Sequence, residues 1–346
     1  MSIKRALAAI AGEKVDRVAQ FEFLTHEAFF RSATGIDPRT KPTESYLAYL
    51  EKFDIDATLF AAFGATDLTD GQVAAAGDHH VRTAWGMRET QWMTNPIYKT
   101  RQEILDFDPR RHDDISLAQR IDGWCRNYRD TQALLGERSL LVPGHFMLVL
   151  HYMPYYCDWT LFMEMVATEP ESLRPMLDRC TDYSVDTLTA MAATDAPMLM
   201  AHEDLCSARG PIFSPAFLRR EVFPRYQRIY EPAIKAGKKV LATSDGLIEP
   251  IAKDFIAAGA TGLFMEAMND PDTIIDAVGP RGQIVGGAST TTLTTGTPET
   301  IAAEVAATLK KAKRLPGFFI CLGGEAPQNV PVENLQAYFD ACRLHR

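Results

Sequence analysis

The sequence predicts an α/β protein of the closed parallel type, a (β/α)8 TIM barrel with a small antiparallel insertion and an extra N-terminal helix. Three observations predict it. Between Ala196 and Glu325 about five short apolar segments each end in polar or acidic residues. Helical patterns separate one segment from the next, which is the rhythm of a parallel sheet wrapped in helices. Followed along the whole chain, that rhythm gives about eight strands, the number that closes a barrel.

The chain opens on MSIKRALAAIAGEKVDR, where Ile3, Leu7 and Ile10 fall on one face of a short amphipathic helix. Charges return at Glu13 and Lys14, so a secretory signal is not expected and a cytoplasmic location is. The first strand is expected over 17–24, followed by a turn through Thr25-His26-Glu27, a helix over 44–53 and a strand over 57–64. Residues 79–100 break the rhythm. Their alternation, Trp85, Trp92 and Asn95-Pro96 point to an antiparallel excursion over one end of the barrel. A helix over 117–135 leads to a strand over 139–147. Leu173, Met176, Leu177, Cys180, Leu188 and Met191 then repeat at helical spacing, with Ser184 the polar break in the stripe.

The remaining strands are expected over 196–203, 238–246, 261–268, 283–289 and 316–324. Ser214-Pro215 and Thr297-Pro298 read as N-cap and first helical residue. Glu299 in the first turn and Lys310, Lys311 and Lys313 in the last complement the dipole of the helix between them. Gly286-Gly287 and Gly323-Gly324 are expected to be tight turns after strands, the other reading being close approach of a flat ligand. No linker, internal repeat or low-complexity stretch divides residues 1–346, which are expected to form one domain.

Composition narrows the function. The 346 residues are 46% apolar and 23% charged, ordinary for a chain that buries a large core. A formal net charge of -9 leaves no basic stripe for a nucleic acid or an anionic membrane. No apolar run approaches the ~20 residues of a bilayer span. The six cysteines are scattered without a CxxC pair, so disulfides are not expected and most thiols are small core residues. GxGxxG and GxxxxGK[ST] are absent.

Barrel enzymes carry their chemistry at the carboxyl ends of the strands. The densest polar cluster there is His202-Glu203-Asp204, suited to ligate a metal, hold a cationic group or act as acid and base. The alternative is a carboxylate paired with Arg209 that merely fixes the loop. Asp245 follows a strand directly, its alternative role being the cap of a helix near Glu249-Pro250. His145 ends the third strand and joins these as a proton carrier. Glu22, His26, Glu266 and Glu325 are candidate substrate contacts, with Tyr155 of the aromatic run YMPYYCDW as lid or pocket wall. Cys321 is expected in the core.

The blocks HEDLCSARGPIFSPAFLRREVFPRYQRI, KKVLATSDG, GATGLFMEAMNDPDTIIDAVGPRGQIVGG, GTPETIAAEV and APQNVPVENLQAYFDACR resemble the uroporphyrinogen decarboxylase superfamily. The resemblance covers most of the chain, is strongest from about Pro197 onward, and implies a (β/α)8 barrel. True decarboxylases open with an arginine-rich segment of the type RQAGRYLPEY that holds the acidic tetrapyrrole. Here VAQFEFLTHEAFFRSATG stands in its place, with Arg31 its lone arginine. The better match is the cobalamin-dependent methyltransferase branch, whose corrinoid rides on a separate protein. No DxHxxG-type corrinoid motif occurs in this chain.

The zinc-dependent members of that branch use an acid on one strand, His-x-Cys on the next and a Cys on the last. By position Glu203 or Asp204 is the acid, Thr243 stands for the His, Asp245 for the first Cys, and Gly324 near the second, with Cys321 displaced by three residues. The resemblance thus implies methyl transfer from a small methyl ether or methylamine to the cobalamin of a corrinoid partner protein. A divalent metal such as zinc is the weaker part of that expectation, because the thiolate ligands are replaced. The alternatives are a decarboxylase or lyase acting on a small acid, and a tetrapyrrole-binding barrel without catalysis.

Overall fold

Parallel strands with helical crossovers organise the chain, and the structure, a computed structural model, describes residues 2–59, 68 and 72–346. The strands are β1 (Ala19–Gln20), β2 (Ala57–Thr58), β3 (Val73–Ala76), β4 (His80–Trp85), β5 (Arg88–Met93), β6 (Leu140–Leu141) and β7 (Gly144–His145). They continue with β8 (Met198–His202), β9 (Cys206–Ser207), β10 (Gly210–Pro211), β11 (Lys239–Thr243), β12 (Gly262–Met265), β13 (Gln283–Ala288) and β14 (Phe318–Leu322). Seven of them form one parallel sheet in the order β1-β14-β13-β12-β11-β8-β7.

β2 and β6 make a separate parallel pair, with Ala57 opposite Leu140. Backbone bonds tie this pair to both ends of the sheet. The Glu22 amide donates to Ala57 at 3.0 Å and the Asp56 amide to Gln20 at 2.9 Å. On the other side Met200 donates to Pro143 at 2.9 Å, just after the Val142 amide reaches Thr58 at 2.8 Å. The sheet therefore curls into a TIM-barrel-like fold. Residues 60–64 of the strand expected over 57–64 lie outside the described residues. β3, β4 and β5 form their own antiparallel sheet, with Thr83 opposite both Val73 and Thr90.

Strand alternation divides the core in two. Ala19, Phe21, Ala57, Leu140, Val142, Met198, Met200, Leu241, Phe264, Val285, Phe319 and Cys321 fill the inside of the curl. Their neighbours Leu199, Val240, Leu263, Ile284 and Ile320 face the helices outside. Helix Ser2–Ala11 closes the amino end of the inner core with Ala6, Ala9 and Ile10, while Leu7 stays 43% exposed. The face that docks is thus one residue round from the expected Ile3–Leu7–Ile10 stripe, because two alanines let the helix approach closely.

Local chemistry explains most helix ends. Ser116 caps Leu117–Leu135 and Thr297 caps Pro298–Ala312, each through a reciprocal box with the third helical residue. Ser214 accepts from the Phe217 amide with Pro215 opening the turn. The stripe around Ser184 forms helix Arg174–Ala192. Gly286 and Gly287 are not turn residues as expected. They lie inside β13 with φ of 138° and 107°, and a Cβ on Gly286 would sit 1.9 Å from the Met265 carbonyl. A glycine in a strand here marks the close approach of β12.

The amino end is fastened by charge. Asp56 is fully buried, accepts from the Gln20 amide at 2.8 Å and pairs with Arg5 at 2.5 Å. Arg346 at the other chain end lies 3.9 Å away. Removing one partner of a buried pair strands the other charge, so Asp56→Ala should cost about 3–5 kcal/mol. The check is urea denaturation, where the midpoint should fall at unchanged slope. An unchanged midpoint would show that the ion cluster holds nothing together.

Candidate active site at the carboxyl end of the sheet

A cavity of about 720 Å³ opens at the carboxyl ends of the strands. It is walled by residues from β8, β11, β12, the loop after β14 and the antiparallel sheet. At its centre stand His202, Asp204 and Asp245, whose ligating atoms lie within 4.8 Å of one another. His202 ends β8, and because side chains alternate, His202 and Asp204 face one way and Glu203 the other. The His202 Nε2 lies 2.8 Å from Asp204 Oδ1, and the same oxygen accepts the Asp245 amide at 3.1 Å. His151 Nε2 approaches the other Asp204 oxygen at 3.5 Å.

Protonation follows from this geometry. Burial works against charge on both members of the His202–Asp204 pair, but their mutual bond outweighs it. His202 is raised above its ordinary value and Asp204 is held down at about 2. Burial also lowers His151, with Asp204 and Glu203 only partly compensating, which favours the neutral imidazole. Asp245 is raised by burial and by the adjacent Asp204 carboxylate. Glu266 is raised by burial, although the Gly246 amide donates to it at 2.6 Å. The site therefore sets an imidazolium–carboxylate pair beside two carboxyl groups that take up protons more readily than usual.

Glu203, a first candidate for catalysis by sequence, is turned away from this cavity. One carboxylate oxygen accepts the amides of Val149, Leu150 and His151 at 2.6, 2.6 and 2.8 Å, and the other accepts the Tyr226 hydroxyl at 2.5 Å. Its task is to hold the loop that carries His151. Ser184 fixes the same loop by donating to the Leu148 carbonyl at 2.6 Å. Arg209 pairs with neither acid, and Asp245 caps no helix. Asn269 fills that place, its side-chain oxygen accepting the Ile248 amide at 2.8 Å.

The other expected residues divide. Glu266, Glu325 and Tyr155 line the cavity, with Thr25 donating to Glu325. Glu22, His26 and His145 do not. Glu22 is fully buried behind the sheet, bonded to Gln20 at 2.9 Å and Tyr338 at 2.5 Å, and burial lifts its carboxyl to about 7. His26 caps helix Glu27–Thr34 through Nδ1 and reaches the Val330 carbonyl with Nε2. His145 is pushed down to about 3 by burial and the nearby Arg120, so it is neutral and faces the helix layer. Sequence reasoning missed His151, which no strand end or spacing singles out. Its signal was its place immediately before YMPYYCDW, the run that forms helix Tyr152–Tyr156.

A thiolate zinc site does not fit these residues. Cys321 is part of the inner core with its thiol raised well above normal by burial, and Cys206 is buried with its thiol pushed up to about 12. Neither lines the cavity. The nitrogen and oxygen donors of His202, Asp204 and Asp245 suit a borderline or hard divalent cation instead.

Two outcomes follow from these roles. Glu203→Ala leaves three buried amides without an acceptor and should cost roughly 3 kcal/mol in denaturant unfolding, with Glu203→Gln costing less because its oxygen still accepts them. Equal losses in both variants would refute the capping role. The His202–Asp204 pair has a definite pH window. Asp204 contributes stability above its ordinary 3.8 and loses it towards about 2, whereas His202 contributes below 6.5 and loses it as pH rises through its raised value. The stability difference between wild type and Asp204→Asn should therefore be largest from about pH 4 to 6.5. A difference independent of pH would rule out the ion pair.

The family model described as Uroporphyrinogen decarboxylase (URO-D) matches residues 151–345, more than half the chain and the part that supplies His151, His202, Asp204 and Asp245. No curated protein matches. Among solved structures, a methyltransferase from Methanosarcina mazei superposes with a TM-score of 0.68 at 20% identity, covering 99% of this chain and 98% of its own. A Listeria monocytogenes protein assigned as a vitamin-B12-independent methionine synthase follows at 0.42 and 14%, covering 64% and 68%. A D-psicose 3-epimerase follows at 0.41 and 10%, covering 69% and 88%. The fold is shared with the first of these, and the chain belongs to the uroporphyrinogen decarboxylase (URO-D) family.

Proposed function

We propose that the protein is a corrinoid-dependent methyltransferase, moving a methyl group from a small methylated ether or amine to the cobalt of a separate corrinoid protein. One observation carries the reading. The described cavity lining holds Asp245, Glu266 and Glu325 beside the His202–Asp204 pair and the Arg82-paired Glu89, and it includes no lysine or arginine. Uroporphyrinogen bears many carboxylates, and such a wall repels it. The Methanosarcina mazei neighbour, named a methyltransferase, has the same fold and supports this branch of the family over the decarboxylases.

The residues at hand suit the difficult part of methyl transfer, departure of the leaving group. The carbon–heteroatom bond breaks with its electron pair left on oxygen or nitrogen, while cobalt(I) supplies the pair for the new bond to carbon. The departing atom must take a proton. His202, kept protonated by Asp204, is the donor, and neutral His151 on the other Asp204 oxygen completes the pair's surroundings. Glu203 acts through His151 as a positioning residue. Asp245, Glu266 and Glu325 border the space where the donor binds.

The assay follows conversion of cob(I)alamin to methylcobalamin, supplied free or on a corrinoid protein, across methyl ethers, methylamines and methyl thiols. A donor in this panel should support turnover, and uroporphyrinogen should release no carbon dioxide. Asp204→Asn and His202→Gln should lower kcat by about 10²-fold or more with smaller changes in KM, since proton donation acts in the transition state. Unchanged kcat in both variants would sink the mechanism. Carbon dioxide release from uroporphyrinogen would sink the function.

A further inference from the structure

The cavity carries a second pattern, independent of its acids. Phe23, Trp92, Phe146, Tyr155 and Phe264 line it from four different parts of the chain. Trp92 is 51% exposed and Phe146 39%, so these two rings present open apolar faces at the cavity, whereas Phe264 belongs to the inner core with Phe23 packed on it. Phe146 meets His202 edge-on with ring centres 5.3 Å apart, which places it beside the catalytic pair. The Asp245 carboxylate, next to that pair, accepts no hydrogen bond among the described residues. Thr243 supplies a third element. It is 5% exposed, lines the cavity, and its hydroxyl has no partner among the described residues. A buried hydroxyl left unpaired costs stability unless a ligand completes it.

Open aromatic faces together with carboxylates that no lysine or arginine pairs among the described residues, Asp245 and Glu266, recognise one chemical class, an organic cation whose charge is spread over methyl groups. We propose that the methyl donor is a methylated ammonium cation carrying a neutral hydroxyl, of the choline type. This inference rests on the methyl-transfer reading. Trp92 and Phe146 offer ring faces to the methyl groups, Asp245 and Glu266 balance the positive charge, and Thr243 bonds the hydroxyl. When the nitrogen–methyl bond breaks, its electron pair stays on nitrogen and the methyl carbon bonds to cobalt(I); the amine departs neutral and then takes the proton of His202. The product is again a cation, so the acidic wall faces a positive charge before and after the step. A donor bearing its own carboxylate is disfavoured by the same wall.

The test is calorimetric titration of the wild-type protein with choline, its neutral carbon isostere 3,3-dimethylbutan-1-ol, tetramethylammonium and glycine betaine. Choline should bind about tenfold or more tighter than the neutral isostere, the size of a desolvated cation–π and charge contribution. It should also bind more tightly than betaine. Trp92→Ala and Asp245→Asn should each weaken choline about tenfold, with Glu266→Gln as a second charge variant should Asp245→Asn fail to fold. Thr243→Val should abolish the preference for choline over tetramethylammonium.

Equal binding of choline and the isostere overturns the inference, as does stoichiometric zinc that excludes choline from the carboxylates. If a neutral methyl ether methylates cob(I)alamin and choline neither binds nor reacts, the inference fails and the methyl-transfer reading stands. If choline binds as stated and no donor methylates cobalamin, the reading fails and the cation site stands.

Discussion

The site depends on one buried carboxylate that faces away from the cavity. Glu203 accepts three consecutive amides, Val149 to His151, on a single oxygen. Those amides lead directly into helix Tyr152–Tyr156, whose N-cap is His151. A negative charge there is favoured by the helix end and is satisfied by four donors once Tyr226 is counted. Because Glu203 follows His202 directly, the strand that aims His202 and Asp204 into the cavity also draws the His151 loop against them. Three functional side chains are thus referenced to one point of the backbone.

The fold was largely legible because its signals are local and periodic. Strand ends fall where apolar runs stop, and Ser214, Thr297 and the stripe of Arg174–Ala192 were readable as start signals and helical spacing. The misreadings have physical causes. Gly286-Gly287 looked like a turn because paired glycines usually are one. Only the neighbouring strand's carbonyl, distant in sequence, reveals why no Cβ fits there. Leu7 was placed in the docking face because it is large, whereas closeness to the barrel end favours alanine.

The candidate site was legible by location but not by role. Asp204, Asp245, Glu266, Glu325 and His202 reach the cavity because they sit at strand ends, where the sequence placed them. Glu203 was assigned to the same face although alternation along β8 puts it opposite His202 and Asp204. That distinction was available in the sequence. Glu22, His26 and His145 are different: Glu22 and His26 are consumed by partners from remote segments, Tyr338 and Val330, and His145 is held neutral by burial and the nearby Arg120 charge. His151 shows the converse, a residue recruited by a carboxylate more than fifty positions away.

Helix Ser2–Ala11 closes the end of the curl opposite the cavity. With Ala6, Ala9 and Ile10 packed at the amino end and side chains filling the curl, the cavity opens at the carboxyl ends of the strands. Two reactants that meet inside must share that entrance. Under the proposed methyl transfer, a macromolecular acceptor seated on that rim would cover the way in, so the small donor would enter first and its demethylated product would leave last. Such a shape would by itself impose an order of arrival and departure on a reaction between a small donor and a large acceptor.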